Sequence, residues 1–299
     1  MKKEIIKNLS HLLMYIFFVP LRYVIRILPV KFYPAISKIV GNLSFFLMKK
    51  TKKRVINNLK IAFGNRFNEK EREKICRGLL CEIILNFFEL LMMTKISEKE
   101  FEKLFICEGE EKIKESLKKK RGIVGVCSHL GNFPLMQVYL CRKGYPVNMI
   151  VRDSNNIYLA RYGRRLREKI GIPSISKWNL KKAIEESRKW LREGGILCFY
   201  LDQHAGNGVK AEFFGRKVFV PVGAAVFARK FQSEILGFFS YRLPSGKHKI
   251  VIEGPYPLIK TSNLSEDIEK MTSYFIKRVE NYVEKYPEQW FSWLHRRFR

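Results

Sequence analysis

The sequence predicts an α/β protein: a mixed central sheet with helices on both faces, preceded by a helical, membrane-associated N-terminal region. Three observations carry that expectation. Short β-rich runs alternate with helical stretches from residue 123 onward, the order that builds a sheet layered with helices. Before them, residues 55–120 repeat apolar side chains at three- and four-residue spacing, the period of a helix. The first 50 residues join the longest unbroken apolar run, LLMYIFFVPL at 12–21, to clustered lysine and arginine. At 299 residues and 46% hydrophobic, the chain can bury a large core and is not disordered. It carries no repeats and no low-complexity linker, so it divides into interfacial helices over 1–50 and one α/β domain over 51–299.

Taken in order, the N-terminal run comes first. Ten apolar residues fall short of the roughly 20 that span a bilayer. The run continues as RYVIRILPV, interrupted by Arg22 and Arg26, and no small-residue cleavage site follows, which argues against a removable signal peptide. Lys2, Lys3 and Lys7 precede it and KKTKKR follows at 49–54. Charge at both ends favours a segment lying in the interface, with the rest of the chain on the cytoplasmic side. A buried helix of a soluble protein is the alternative.

VINNLKIAF and KICRGLLCEIILNFFELLMM read as helices, the second holding Glu82 and Glu89; Glu89 is expected on the helix's polar edge, with a place facing a site or against a nearby arginine as the alternatives. EKIKESLKKKRG is a solvated helix closed by Gly122. The strand IVGVC begins at 123, a helix follows from about 133, VNMIV at 147 is the next strand, and 157–169 is helical. NLKKAIEESRKWLREGG is an amphipathic helix with a glycine stop, leading into ILCFYL at 196. PVGAAVFARKF is a helix opened by proline. EILGFFSYR and KIVIEG are strands, and a last helix over about 264–285 opens with Glu266 and Asp267, which suit its dipole.

Charge limits the partners. With 57 Lys+Arg against 28 Asp+Glu, the net charge is +29, which points to anionic partners: nucleic acid, an acidic lipid surface, or a phosphorylated or acidic substrate carrier. Nucleic acid is the weakest of these, because the cations are spread along the chain and no groove-reading helix or aromatic platform accompanies them. Six cysteines, scattered without a CxxC pair or a histidine at ligand spacing, argue against a disulfide framework and a zinc site, and no metal is expected.

Ligands of an α/β sheet gather at the carboxyl ends of the strands, and three strands here end in polar residues. IVGVC ends at Ser128-His129 with Asn132 close by, VNMIV ends at Arg152-Asp153, and ILCFYL ends at Asp202-Gln203-His204. If those strands are neighbours, His129, Arg152 and Asp202 share one crevice as a base, a cation and a carboxylate. Each alone has a plain structural role open to it, such as a hydrogen-bonded histidine or a turn-capping aspartate.

SHLGNF resembles the H-x-G-N-W/F core of the bacterial lipid A biosynthesis (lauroyl/myristoyl) acyltransferases, within the wider glycerolipid acyltransferases that carry a His-x-x-x-x-acid motif. VRDSNN, DQHAGNGVKAEFFGRKVFVPVGAAVFARKF, YPEQWFSWLHRRFR and the N-terminal RVINNLKIAF are similar to further blocks of that family, so the likeness runs nearly end to end. It implies an enzyme at the cytoplasmic face of the bacterial inner membrane. There it moves a fatty acyl group from a thioester of acyl carrier protein or coenzyme A to a hydroxyl of a phosphorylated lipid A precursor, with no cofactor. It also implies that His129 is the general base and that an acid five residues on orients it.

At that position stands Pro134, which can neither accept a proton nor orient an imidazole. Three readings stand open: another carboxylate replaces the acid, with Asp202 the candidate; His129 works without one, held by Asn132 or a backbone carbonyl; or the chain has lost catalysis and only binds anionic lipid. Further expectations attach to named residues. Arg152 binds a phosphate or steadies developing negative charge, or pairs with Asp153. Backbone amides around Gly131 and Asn132 hold the oxyanion. Arg164 and Arg165 meet phosphates or line a solvated helix face. Gln203 contacts substrate beside Asp202, and Phe213, Phe214 and Gly215 line an acyl groove or form an ordinary strand and turn. His295, Arg296 and Arg297 end a Trp-rich tail suited to the lipid headgroup level. His204 and His248 are structural.

Overall fold

The computed structural model describes residues 23–25 and 27–298. The apolar run 12–21, its flanking Lys2, Lys3 and Lys7, and Arg22 and Arg26 lie outside the described residues. Among the described residues no helix is long and apolar enough to cross a membrane.

Helices α1 (Tyr33–Leu47), α2 (Lys49–Phe63), α3 (Glu69–Met92) and α4 (Glu98–Glu102) come first. Capping boxes start two of them: Asn68 with Glu71 before α3, and Ser97 with Glu100 before α4. Helix α1 lies across α3 at close range, because Gly41 presents no side chain: a Cβ there would stand 2.5 Å from Cys81 Sγ. Tyr33 packs edge-on against Phe88 of α3.

The α/β domain runs β1 (Phe105–Glu108), α5 (Glu110–Lys118), β2 (Ile123–Cys127), α6 (Phe133–Arg142), β3 (Val147–Val151), α7 (Ile157–Lys169), β4 (Ser174–Ser176), α8 (Leu180–Arg192) and β5 (Ile196–Tyr200). It continues through β6 (Val209–Phe213), β7 (Arg216–Val220), α9 (Gly223–Phe231), β8 (Glu234–Arg242), β9 (His248–Glu253) and α10 (Leu264–Lys285). Seven strands form one sheet in the order β1-β9-β8-β2-β5-β3-β4, and β6 with β7 forms a separate hairpin. Strands β2, β3, β4, β5 and β8 run parallel; β9 returns antiparallel to β8, and β1 lies parallel to β9. The sheet is therefore mixed, as the sequence predicts.

Successive side chains of a strand point to opposite faces, and each face here is covered. Val124 and Val126 of β2 join one apolar cluster with Ala224 and Ala228 of α9 and Phe275 and Val279 of α10. Ile123 and Cys127 join another with Leu135 and Val138 of α6 and Phe88 of α3. All five residues of β2 are buried, which places this strand at the centre.

Two short strands differ from the sequence reading. Phe105–Glu108 falls inside the stretch expected to be helical; four residues between helices carry too little pattern to reveal a strand, and pairing with β9 makes it one. Ser174–Ser176 is equally short and is defined by its pairing with β3.

Candidate active site

Strands β2 and β5 pair in register, Cys127 opposite Tyr200. The chains that leave their carboxyl ends carry His129 and Asp202 side by side. Asp202 Oδ1 lies 2.6 Å from His129 Nδ1, and Oδ2 accepts the His129 backbone N–H at 2.7 Å. Trp290 Nε1–H also donates to Oδ2 at 2.6 Å, and the Ser292 hydroxyl at 3.3 Å. The carboxylate is fully buried. Burial alone would raise its pKa, but the His129 ring, the His129 N–H and the Trp290 indole together hold it below the ordinary carboxylate range.

An ionised carboxylate only accepts hydrogen bonds, so the proton sits on Nδ1 and the Nε2 lone pair faces outward. Gln203 Nε2 stands 3.4 Å from it. The His129 side chain keeps 17% of its surface exposed, between aromatic walls. Its ring lies 4.8 Å from those of Phe133 and Tyr200 and 6.5 Å from that of Phe291. One imidazole nitrogen is thus fixed by Asp202, while the other faces the Gln203 amide within a largely aromatic surround.

Pro134 occupies the first turn of α6, a position that needs no N–H. The turn between His129 and α6 is tied from several sides. Gly131 N–H donates to the Gln289 carbonyl at 2.9 Å, and Asn86 Nδ2 donates to the Gly131 carbonyl at 3.0 Å. Asn132 accepts the Leu135 N–H, and its amide donates to the Asn86 carbonyl at 3.2 Å and to Glu89 at 2.9 Å. Gly131 has φ +57°, and a Cβ there would lie 2.5 Å from the Ser240 carbonyl oxygen. The Gly131 amide and the Asn132 side chain therefore hold the turn and are engaged within the fold.

Glu89 anchors this network and is not on a polar edge. It pairs with Arg242, which also meets Glu82 at 2.8 Å and Asn86 at 2.8 Å, and it lies 3.1 Å from His248. Burial raises the Glu89 pKa, but His248 and Arg242 outweigh it and bring it down to about 2. The signal in the sequence was a carboxylate inside an apolar helical run; only the fold supplies its cation, 153 residues away.

The C-terminal tail corrects another expectation. Trp290, Trp293 and Arg297 are fully buried, so the Trp-rich segment packs in the core and not at a lipid headgroup level; His295 and Arg296 stay exposed. Trp290 bridges to Leu130 beside His129, and Phe291 N–H donates to the His129 carbonyl at 2.9 Å. The aromatic hairpin belongs to the same core. Phe214 and Gly215 form the two-residue loop between β6 and β7, both at positive φ. Phe213 lies tilted against Trp290 at 5.6 Å, Phe214 packs on Phe63 and Trp293, and Glu280 accepts the Phe214 N–H at 2.6 Å. These residues support the tail that holds Asp202.

Arg152 leaves the end of β3, which β5 separates from β2. It is exposed, its guanidinium is 6.0 Å from the Trp178 ring, and among the described residues it meets no carboxylate. Asp153 is buried and turns instead to Arg167 at 2.6 Å and Arg164 at 3.4 Å. Arg164 thus has its own anion, while Arg152 stays open toward solvent on the strand-end side. Arg165 is exposed on α7 and His204 rests edge-on near Phe219.

A buried aspartate fixing an imidazole at the strand ends of a mixed α/β sheet is an arrangement chemically able to activate a hydroxyl, as in transferases and hydrolases. The description of the family whose model matches residues 2–299 is bacterial lipid A biosynthesis acyltransferase, and the chain belongs to that family. Its activity is accordingly that of a lipid A biosynthesis acyltransferase, with an acyl donor and a lipid acceptor. No curated protein matches the chain.

Proposed function

We propose that this protein transfers a fatty acyl group from the thioester of acyl carrier protein or coenzyme A to a hydroxyl of a phosphorylated lipid A precursor, at the cytoplasmic face of the bacterial inner membrane. His129 is its general base and Asp202 the carboxylate that orients it. The observation that carries the reading is the 2.6 Å contact between His129 Nδ1 and a buried Asp202, which supplies the anion missing at Pro134.

The chemistry follows from that geometry. Nε2 takes the proton of the acceptor hydroxyl as its oxygen attacks the thioester carbonyl. Asp202 steadies the imidazolium so formed. As the tetrahedral intermediate collapses, the new C–O bond remains, the C–S bond breaks, and the imidazolium proton passes to the departing thiolate. Gln203, whose amide nitrogen already stands at Nε2, donates toward the reacting oxygen, and Arg152 attracts a phosphate from the strand-end side. The aromatic surround of His129 excludes water from the acyl thioester, favouring transfer over hydrolysis.

The test is direct. Purified protein given an acyl thioester and a phosphorylated lipid A precursor yields a product heavier by one acyl group, measured by mass spectrometry. His129→Ala abolishes it. Equal turnover by His129→Ala refutes the assignment of the base, and no product from the wild type refutes the reaction.

A further inference from the structure

We propose that a basic groove between α2 and the C-terminal tail binds the phosphorylated head group of a membrane lipid, with the exposed apolar face of α1 lying in the bilayer beside it. The proposal rests on the acyl-transfer reading above and gives the lipid acceptor a place to be held.

The groove encloses about 1120 Å³ and has Lys or Arg at eight lining positions, against the single carboxylate of Glu69. Lys52 is neutralised by Glu73 at 2.6 Å. Among the described residues, Lys49, Lys50, Lys53, Lys60 and Arg296 have no carboxylate within ion-pair distance. Like charges gathered without counter-ions repel one another and favour an anionic ligand. A solvated basic face would show the charges alone. Here Phe45, Phe46, Ile56 and Phe298 line the same concavity.

The apolar side continues onto α1. Ile39, Leu43, Phe46 and Leu47 are 68%, 55%, 60% and 71% exposed. Their spacing puts them on one face of the helix, opposite the face where Gly41 meets α3. Phe46 belongs to both the stripe and the groove. Phosphate and hydrocarbon meet along one line at a lipid surface, where the cations of α2 and the apolar stripe of α1 both find partners. An acidic carrier protein would satisfy the cations and leave the α1 stripe in water.

The C-terminal tail that bounds the groove also reaches the candidate active site. Asn58 Nδ2 caps the carbonyls of Trp293 and His295, each at 2.8 Å, and Arg54 donates to the Leu294 carbonyl at 3.0 Å. The same tail gives Trp290 and Ser292 to Asp202. Its Phe291 ring stands between His129 at 6.5 Å and His295 at 5.8 Å.

The test uses the full chain and the exposed pair Lys50→Glu/Lys53→Glu, with Leu43→Ser/Leu47→Ser as a second variant and thermal melting to establish that each folds. Binding to phosphatidylcholine vesicles containing phosphatidic acid is measured by co-sedimentation. The lysine variant loses at least about tenfold in affinity, since each basic residue removed near an anionic surface weakens attraction about fivefold, and the serine variant also binds more weakly. In steady-state assays the lysine variant raises KM for the lipid acceptor and leaves KM for the thioester donor where it was. Unchanged vesicle affinity overturns the proposal, as does a rise confined to the donor's KM, which would make the groove a carrier docking site. The vesicle measurement stands whether or not the protein transfers acyl groups, so failure here is distinct from failure of the reaction.

Discussion

Asp202→Asn isolates the claim that this carboxylate fixes the catalytic tautomer. The substitution conserves shape and removes one acceptor oxygen and the charge. Three donors converge on Oδ2: the His129 N–H, the Trp290 indole and the Ser292 hydroxyl. Only the imidazole faces Oδ1. The asparagine oxygen therefore takes the Oδ2 position and keeps three bonds, and its NH2 is turned toward Nδ1. That nitrogen must then accept, the ring proton moves to Nε2, and the lone pair that would take the hydroxyl proton is gone. The corresponding loss in serine proteases is about 10⁴ in kcat, about 5 kcal/mol of transition-state stabilisation, and the same loss is expected here. The assay is thiol release from an acyl thioester in the presence of acceptor, with a thermal melt to show that the fold survives. A kcat within about tenfold of the wild type in a folded variant refutes the reasoning.

The other predictions concern the frame of the site. Glu89→Gln leaves buried Arg242 short of its main anion and destabilises the fold by about 3 kcal/mol, read by denaturant titration. Glu89 also makes stability pH-dependent: its folded pKa of about 2 lies below the ordinary 4.5, so its contribution is present above about pH 4.5 and is lost as pH falls toward 2. Acid titration of the wild type should show that loss, and Glu89→Gln should flatten it. Gly131→Ala forces a side chain into a positive-φ position against the Ser240 carbonyl and costs at least about 2 kcal/mol, seen as a lowered melting temperature with weakened turnover. Trp290→Phe removes the indole donor from Asp202 and raises the aspartate pKa toward the ordinary carboxylate range, followed by NMR titration of the Asp202 carboxyl carbon; an unmoved titration contradicts that link.

Much of the frame was legible because its signals are local. Alternating strand and helix periods placed β2, β3, β5, β8 and β9, and polar strand ends marked His129, Arg152 and Asp202, of which the fold brings His129 and Asp202 together and leaves Arg152 at the end of β3, beyond β5. Register at the sheet was not legible, and it is register that sets Asp202 against His129 across 73 positions while Asp153, also at a strand end, turns away to Arg167. Charge patterning misled at the tail: Trp and Arg together suit a membrane interface, yet Trp290, Trp293 and Arg297 are buried because the hairpin β6–β7 and α2 close over them. For Phe213, Phe214 and Gly215 composition leaves an acyl groove and a plain strand and turn equally open, since aromatic residues suit a core and a lipid channel alike; the structure shows them as strand and turn.

By itself, then, the sequence determined the layered α/β class, the histidine at the end of an apolar strand and the strong excess of cationic side chains, all of which are written in short-range pattern or in composition; that Pro134 stands where an acid belongs follows only from the family likeness. Tertiary structure alone decided which carboxylate meets the imidazole, which amides the turn engages and which aromatic side chains see solvent. Those outcomes depend on distances between residues far apart in the chain, and a buried charge finds its partner only where the packed fold has excluded water.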